Sequence, residues 1–97
     1  MTRAFILEFL SQHKEEFLKK YGVTKIGLFG SYARGDFTKD SDIDIAIEML
    51  NDKKSLSTFF ALKRELEEIF NLKVDLGIES SLKPIAKERI FKEIVYV

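Results

Sequence analysis

No cysteine occurs in these 97 residues, so the chain forms no disulfide, offers no thiolate to a metal and carries no thiol nucleophile. Histidine is nearly as scarce. His13 is the only one, which argues against zinc, usually held by Cys or by several His. No apolar run approaches the ~20 residues that span a bilayer, and the N-terminus lacks the basic-then-apolar layout of a secretory signal. These absences point to a cytoplasmic protein with no membrane contact. An excess of either charge is missing too. Sixteen basic residues balance sixteen acidic ones, so nothing pulls the whole chain toward nucleic acid, and no direct nucleic-acid partner is expected. There is no internal repeat, low-complexity tract or linker. Residues 1–97 are expected to form one domain, large enough for a single core but too small for a separate substrate-specificity domain.

What is present is periodic hydrophobicity. From about Ala4 to Tyr21, Phe5, Ile6, Phe9, Leu10, His13, Phe17, Leu18 and Tyr21 fall at helical spacing, with Gly22 as the C-cap. His13 is expected to be a partly buried packing residue. A second helix follows a polar turn, N-capped by Ser55 or Ser57, with Leu56, Phe59, Phe60, Leu66, Ile69 and Phe70 as its apolar stripe. Pro84, the single proline, can start a third helix whose apolar side is Ile85, Ile90, Phe91 and Ile94. Between the helices lie three strands, at about Thr24 to Phe29, Asp42 to Met49 and Leu72 to Ile78. The expected fold is a small α/β (α+β) layer, a short sheet with helices on one face.

The chain is organised around Lys25 to Glu48. An apolar strand ends in Gly30-Ser31, a polar loop containing Arg34 follows, and a second strand alternates charge with isoleucine. Because strand side chains alternate with period two, Ile43, Ile45 and Ile47 face a core while Asp42, Asp44, Ala46 and Glu48 project oppositely. Asp42 and Asp44 then stand with Cα atoms roughly 6.6–6.8 Å apart. Two unit charges at 4 Å repel by about 1 kcal/mol in water and about 4 kcal/mol at the effective dielectric of a protein surface. A fold gains nothing from that placement, whereas a divalent cation relieves it, and carboxylate oxygens suit Mg²⁺ or Mn²⁺. Gly30 lets backbone approach a ligand closely, and Ser31 offers a hydroxyl and an amide. Asp75 is a third carboxylate on the polar face of a strand.

Gly30-Ser31, ten residues, then Asp42-Ile43-Asp44 resembles the Gly-Ser-x₁₀-Asp-x-Asp signature of nucleotidyltransferases related to DNA polymerase β. The surrounding Gly-Ser-Tyr-Ala-Arg-Gly-Asp and Ser-Asp-Ile-Asp are similar to the minimal nucleotidyltransferase (MNT) branch. The resemblance implies the polymerase β-like fold, a small mixed sheet with helices on one face. It implies two Mg²⁺ ions, with Mn²⁺ as a substitute, held by Asp42, Asp44 and Asp75 as catalytic triad. Gly30 and Ser31 would contact the β and γ phosphates of ATP, and Arg34 would neutralise phosphate charge, its structural alternative being a salt bridge to Asp36 or Asp40. By the same resemblance the partner is a helical HEPN toxin. The implied reaction moves AMP from ATP to a tyrosine of that toxin, so that the chain acts as its antitoxin.

Two other readings compete. A non-catalytic nucleotide-binding module would neutralise a HEPN partner by stoichiometric binding. Transfer to a small molecule is the third, disfavoured because nothing in the sequence supplies an extra domain to build a pocket.

Overall fold

The computed structural model describes all of residues 1–97. Its elements, in order, are α1 (Arg3–Gln12), α2 (Lys14–Tyr21), β1 (Val23–Phe29), α3 (Gly30–Arg34), β2 (Ile43–Met49), α4 (Leu56–Phe70), β3 (Val74–Ile78), a 3₁₀ turn (Glu79–Ser81), α5 (Pro84–Glu93) and β4 (Val95–Tyr96). The strands form one mixed sheet in the order β3-β2-β1-β4. β1 runs antiparallel to β2 and β4, and β2 runs parallel to β3. The helix α4 makes the crossover a parallel pair requires.

Local chemistry sets the boundaries. Thr2 caps α1 by accepting from the Phe5 amide, and Ser55 caps α4 by accepting from the Thr58 amide at 3.1 Å. Gly22 ends α2 in the left-handed conformation, φ 73°, and Asn71 ends α4 likewise. The expected single helix from Ala4 to Tyr21 is two helices broken at His13. Its ring stacks on Phe9, centroids 4.0 Å apart, and its Nδ1 lies 2.9 Å from the Phe9 carbonyl oxygen. His13 is thus a packing residue at a helix junction, as expected.

One face of the sheet carries the core. Ile26 and Leu28 of β1, Ile43, Ile45 and Ile47 of β2 and Val74 of β3 are all 0–1% exposed. They meet Ile6 and Leu10 of α1, Phe17 of α2, and Leu62 and Leu66 of α4. The register matches, Ile26 opposite Ile47, Leu28 opposite Ile45 and Val74 opposite Ile43, so the strands present one continuous apolar surface. Several residues assigned to apolar stripes are instead exposed: Phe5, Leu18, Leu56, Phe60, Ile69, Ile85 and Phe91. A four-strand sheet gives each helix a narrow contact, and residues at the flanks of a wide stripe miss it.

The opposite face is polar at its two ends and apolar in the middle. Gly27 and Ala46 are register partners there, and Ala46 is buried. Ile94 covers Gly27, where a Cβ would meet its side chain at 2.7 Å. The end of α5 therefore rides on the aspartate side of the sheet, and β4 ties it down through Gly27 opposite Tyr96.

Leu66→Ala is expected to cost about 2–5 kcal/mol, the range for a fully buried leucine, whereas Leu56→Ala, 75% exposed, should stay within about 0.5 kcal/mol of wild type. Urea denaturation of the two variants checks both.

Candidate active site

β1 delivers Gly30 and β2 delivers Asp44 to the same end of the polar face, because Phe29 and Asp44 are register partners. Gly30 must be glycine for two independent reasons. Its φ is +74°, and a Cβ there would run into the carboxylate of Asp44, with Asp44 Cγ 2.8 Å away. The close approach of this backbone to Asp44 is thus built into the turn from β1 to α3.

Across the sheet, Asp44 is the direct register partner of Asp75 in the parallel β2–β3 pair. Parallel neighbours lie about 4.8 Å apart in the hydrogen-bonding direction, so two carboxylates from different strands stand side by side. Asp42, immediately before β2, lies near enough for its charge to act on Asp44 as well. The electrostatics record this crowding: burial, then the charges of Asp75 and Asp42, push the Asp44 carboxyl up to about 6, and Arg34 opposes the shift. Glu48 lies on the same face of the same strand and behaves oppositely. Burial alone would raise its carboxyl, but hydrogen bonds from Lys54, Ser80 and the Met49 amide hold it at about 2. One acid at the far end is satisfied by the protein, and the acid at the Gly30 end is offset only in part, by Arg34. That contrast makes Asp44 the candidate on this face for an external cation.

The donor set suits such an ion. Three carboxylates supply hard oxygen ligands of the kind Mg²⁺ and Mn²⁺ take. As they stand, no three acidic side chains close into a metal-holding group, so the register brings the aspartates together without folding them into a finished cage. Asp42, Asp44 and Asp75 are the residues that would hold a cation here.

Beside the aspartates lies a cleft of about 350 Å³, walled by Phe29, Gly30, Ser31, Arg34 and Asp44 on one side and by Ala86, Arg89, Ile90 and Glu93 of α5 on the other. Gly30, Ser31, Arg34 and Asp44 of the expected site share this cleft, while Asp42 and Asp75 lie next to Asp44 outside its lining. Arg34 is doubly engaged. Its Nε donates to Asp36 at 3.1 Å, one of the two partners read from sequence as the structural alternative to a phosphate role, and its Nη1 donates to Glu93 at 2.9 Å. Those two acids, Glu93 foremost, raise the guanidinium above its ordinary value.

The α5 wall was not anticipated. Arg89 and Glu93 sit four residues apart and thus on one side of a helix, a spacing legible in sequence. Which face of the sheet that side would meet was not.

Raised in the folded state from 3.8 to about 6, the Asp44 carboxyl gives a stability contribution that is present below pH ~4 and lost as pH rises through about 6. Asp44→Asn removes that loss. In EDTA at pH 8 the variant should be more stable than wild type by about 1 kcal/mol, after allowance for solvent screening, a rise of about 4–8 °C in Tm. At pH 4 the two should nearly coincide. Thermal melts at both pH values check this, and a lower Tm for the variant at pH 8 would contradict it.

Comparison with known proteins agrees with the chemistry. The nucleotidyltransferase domain model matches residues 10–97. A protein adenylyltransferase, MntA, of Thermococcus cleftensis is 40% identical over 97 residues, covering 100% of this chain and 97% of its own. A solved minimal nucleotidyltransferase structure is 29% identical with a TM-score of 0.74, covering 92% of this chain and 93% of that one. A chain in the crystal structure of a mutant of the toxin–antitoxin MntA–HpeT is 25% identical with a TM-score of 0.70, covering 90% of this chain and 70% of that one.

Proposed function

The chain belongs to the nucleotidyltransferase family as a minimal, MNT-type member, and from that premise we propose that it carries AMP from ATP to a tyrosine of a partner HEPN toxin, with Mg²⁺, and so serves as that toxin's antitoxin. The observation that carries this reading is the placement of Asp44, in register with Asp75 on the next strand and packed on the backbone of Gly30. The adenylyl group and the toxin partner are favoured by the similar proteins, one a protein adenylyltransferase and one a member of a toxin–antitoxin pair.

Each residue has a defined task. Gly30, lacking a Cβ, lets a triphosphate lie against the backbone beside the aspartates, and Ser31 lines the same cleft. Arg34 offers a guanidinium fork to phosphate oxygens. Asp42, Asp44 and Asp75 would hold the cations, which would supply charge neutralisation on the phosphates and a lowered pKa for the attacking hydroxyl. In the transfer, the tyrosine oxygen bonds to the α-phosphorus, the bond from that phosphorus to the α–β bridging oxygen breaks, pyrophosphate leaves and the phenolic proton is released. With so small a domain, the acceptor protein itself supplies most of the surface that positions the hydroxyl.

Incubation with Mg²⁺-ATP should add adenylyl mass to the partner toxin, read by mass spectrometry. The Asp42→Ala,Asp44→Ala double variant should lose that activity on the order of a thousandfold while keeping its circular dichroism spectrum. A double variant that adds no mass yet still neutralises the toxin would overturn transfer in favour of stoichiometric binding.

A further inference from the structure

The phosphate side of the cleft is already occupied by an anion of the protein's own. The Gly30 amide donates to Glu93 Oε1 at 3.2 Å, and Arg34 Nη1 donates to Glu93 Oε2 at 2.9 Å. Gly30 and Arg34 are the two donors to which a triphosphate oxygen would bind, and one carboxylate uses a separate oxygen for each. We propose that Glu93 is an internal competitor for phosphate: its carboxylate fills the triphosphate subsite, and a nucleoside triphosphate binds only by displacing it. This rests on the reading of the cleft as a nucleotide site.

Three features of the fold support a side chain that swings rather than a helix that moves. The backbone around Glu93 is anchored, since Ile94 packs over Gly27 and Tyr96 pairs with it in the sheet. Glu93 is only partly buried, its side chain 23% exposed, so it can leave the cleft by a rotamer change into water. Arg89 stands one turn earlier on α5, lines the same cleft and is suitably spaced to receive the displaced carboxylate. Glu93 also brings a further negative charge toward Asp44, so while it remains in place the cleft repels the ligand it is shaped to take.

Glu93 does not serve the fold through a deep packing role. Its side-chain hydrogen bonds go to Gly30 and Arg34, 63 and 59 residues away in sequence, and both donors belong to the candidate site. A salt bridge built for stability would have other places to form.

The test is calorimetric titration of Mg²⁺-ATP, and of Mg²⁺-tripolyphosphate, into wild type, Glu93→Gln and Glu93→Ala. Glu93→Gln keeps the size of the side chain and removes its charge, so it decides the matter if the alanine variant folds poorly. Both variants should bind ATP about fivefold to tenfold more tightly, the effect of freeing donors from a charged hydrogen-bond partner. Tripolyphosphate should gain by the same factor, because the competition is for phosphate and not for the base. An unchanged or larger Kd in Glu93→Gln overturns the proposal and makes Glu93 a residue that positions Arg34 for its ligand. Absence of binding by all three proteins overturns the nucleotide site itself together with its plug.

Discussion

A carboxylate wedged against a glycine, with another carboxylate beside it, is the constraint on which this structure turns. Asp44 is packed so closely on Gly30 that a side chain there would collide with it, and the sheet register sets Asp75 directly alongside. Both relations are fixed by backbone, one by a turn with positive φ and one by parallel strand pairing. The fold accepts an acid whose carboxyl is pushed up to about 6, by burial first and then by the charges of Asp75 and Asp42.

The same strand shows what compensation looks like when the protein supplies it. Glu48 receives Lys54 and the Ser80 amide, and Glu79, though buried, receives Lys25 and the Tyr96 hydroxyl. These acids close the far end of the sheet. At the Gly30 end the cation that acts on Asp44 is Arg34, and it is shared with Asp36 and Glu93. A surface that satisfies its acids at one end and starves them at the other is one on which stability and chemistry have been assigned to different places.

Sequence reasoning reached the parts of this picture governed by short periods. The alternation Asp-Ile-Asp-Ile fixed which residues of β2 enter the core, because period two leaves no choice once one face is apolar. Gly22, Ser55 and Pro84 were legible as cap and start signals for the same local reason. Register across the sheet was less accessible, yet the polar alternation of β3 was enough to single out Asp75. Long-range placements were out of reach. Nothing between Arg34 and Glu93 in sequence announces that they meet, and the covering of Gly27 by Ile94 depends on which edge of the sheet β4 joins. The exposed Phe5, Leu18, Leu56, Phe60, Ile85 and Phe91 show the opposite error: apolar spacing marks a stripe, but only the width of the sheet decides how much of the stripe is buried.

The most direct measurement of the central claim is the location of a cation relative to the nucleotide. Crystals grown with Mn²⁺ and a non-hydrolysable ATP analogue would reveal the metal by its anomalous scattering. The account predicts manganese coordinated by Asp44 together with Asp42 and Asp75, and phosphate oxygens against the Gly30 backbone. Manganese bound elsewhere, or a nucleotide seated away from Gly30 and Ser31, would contradict it.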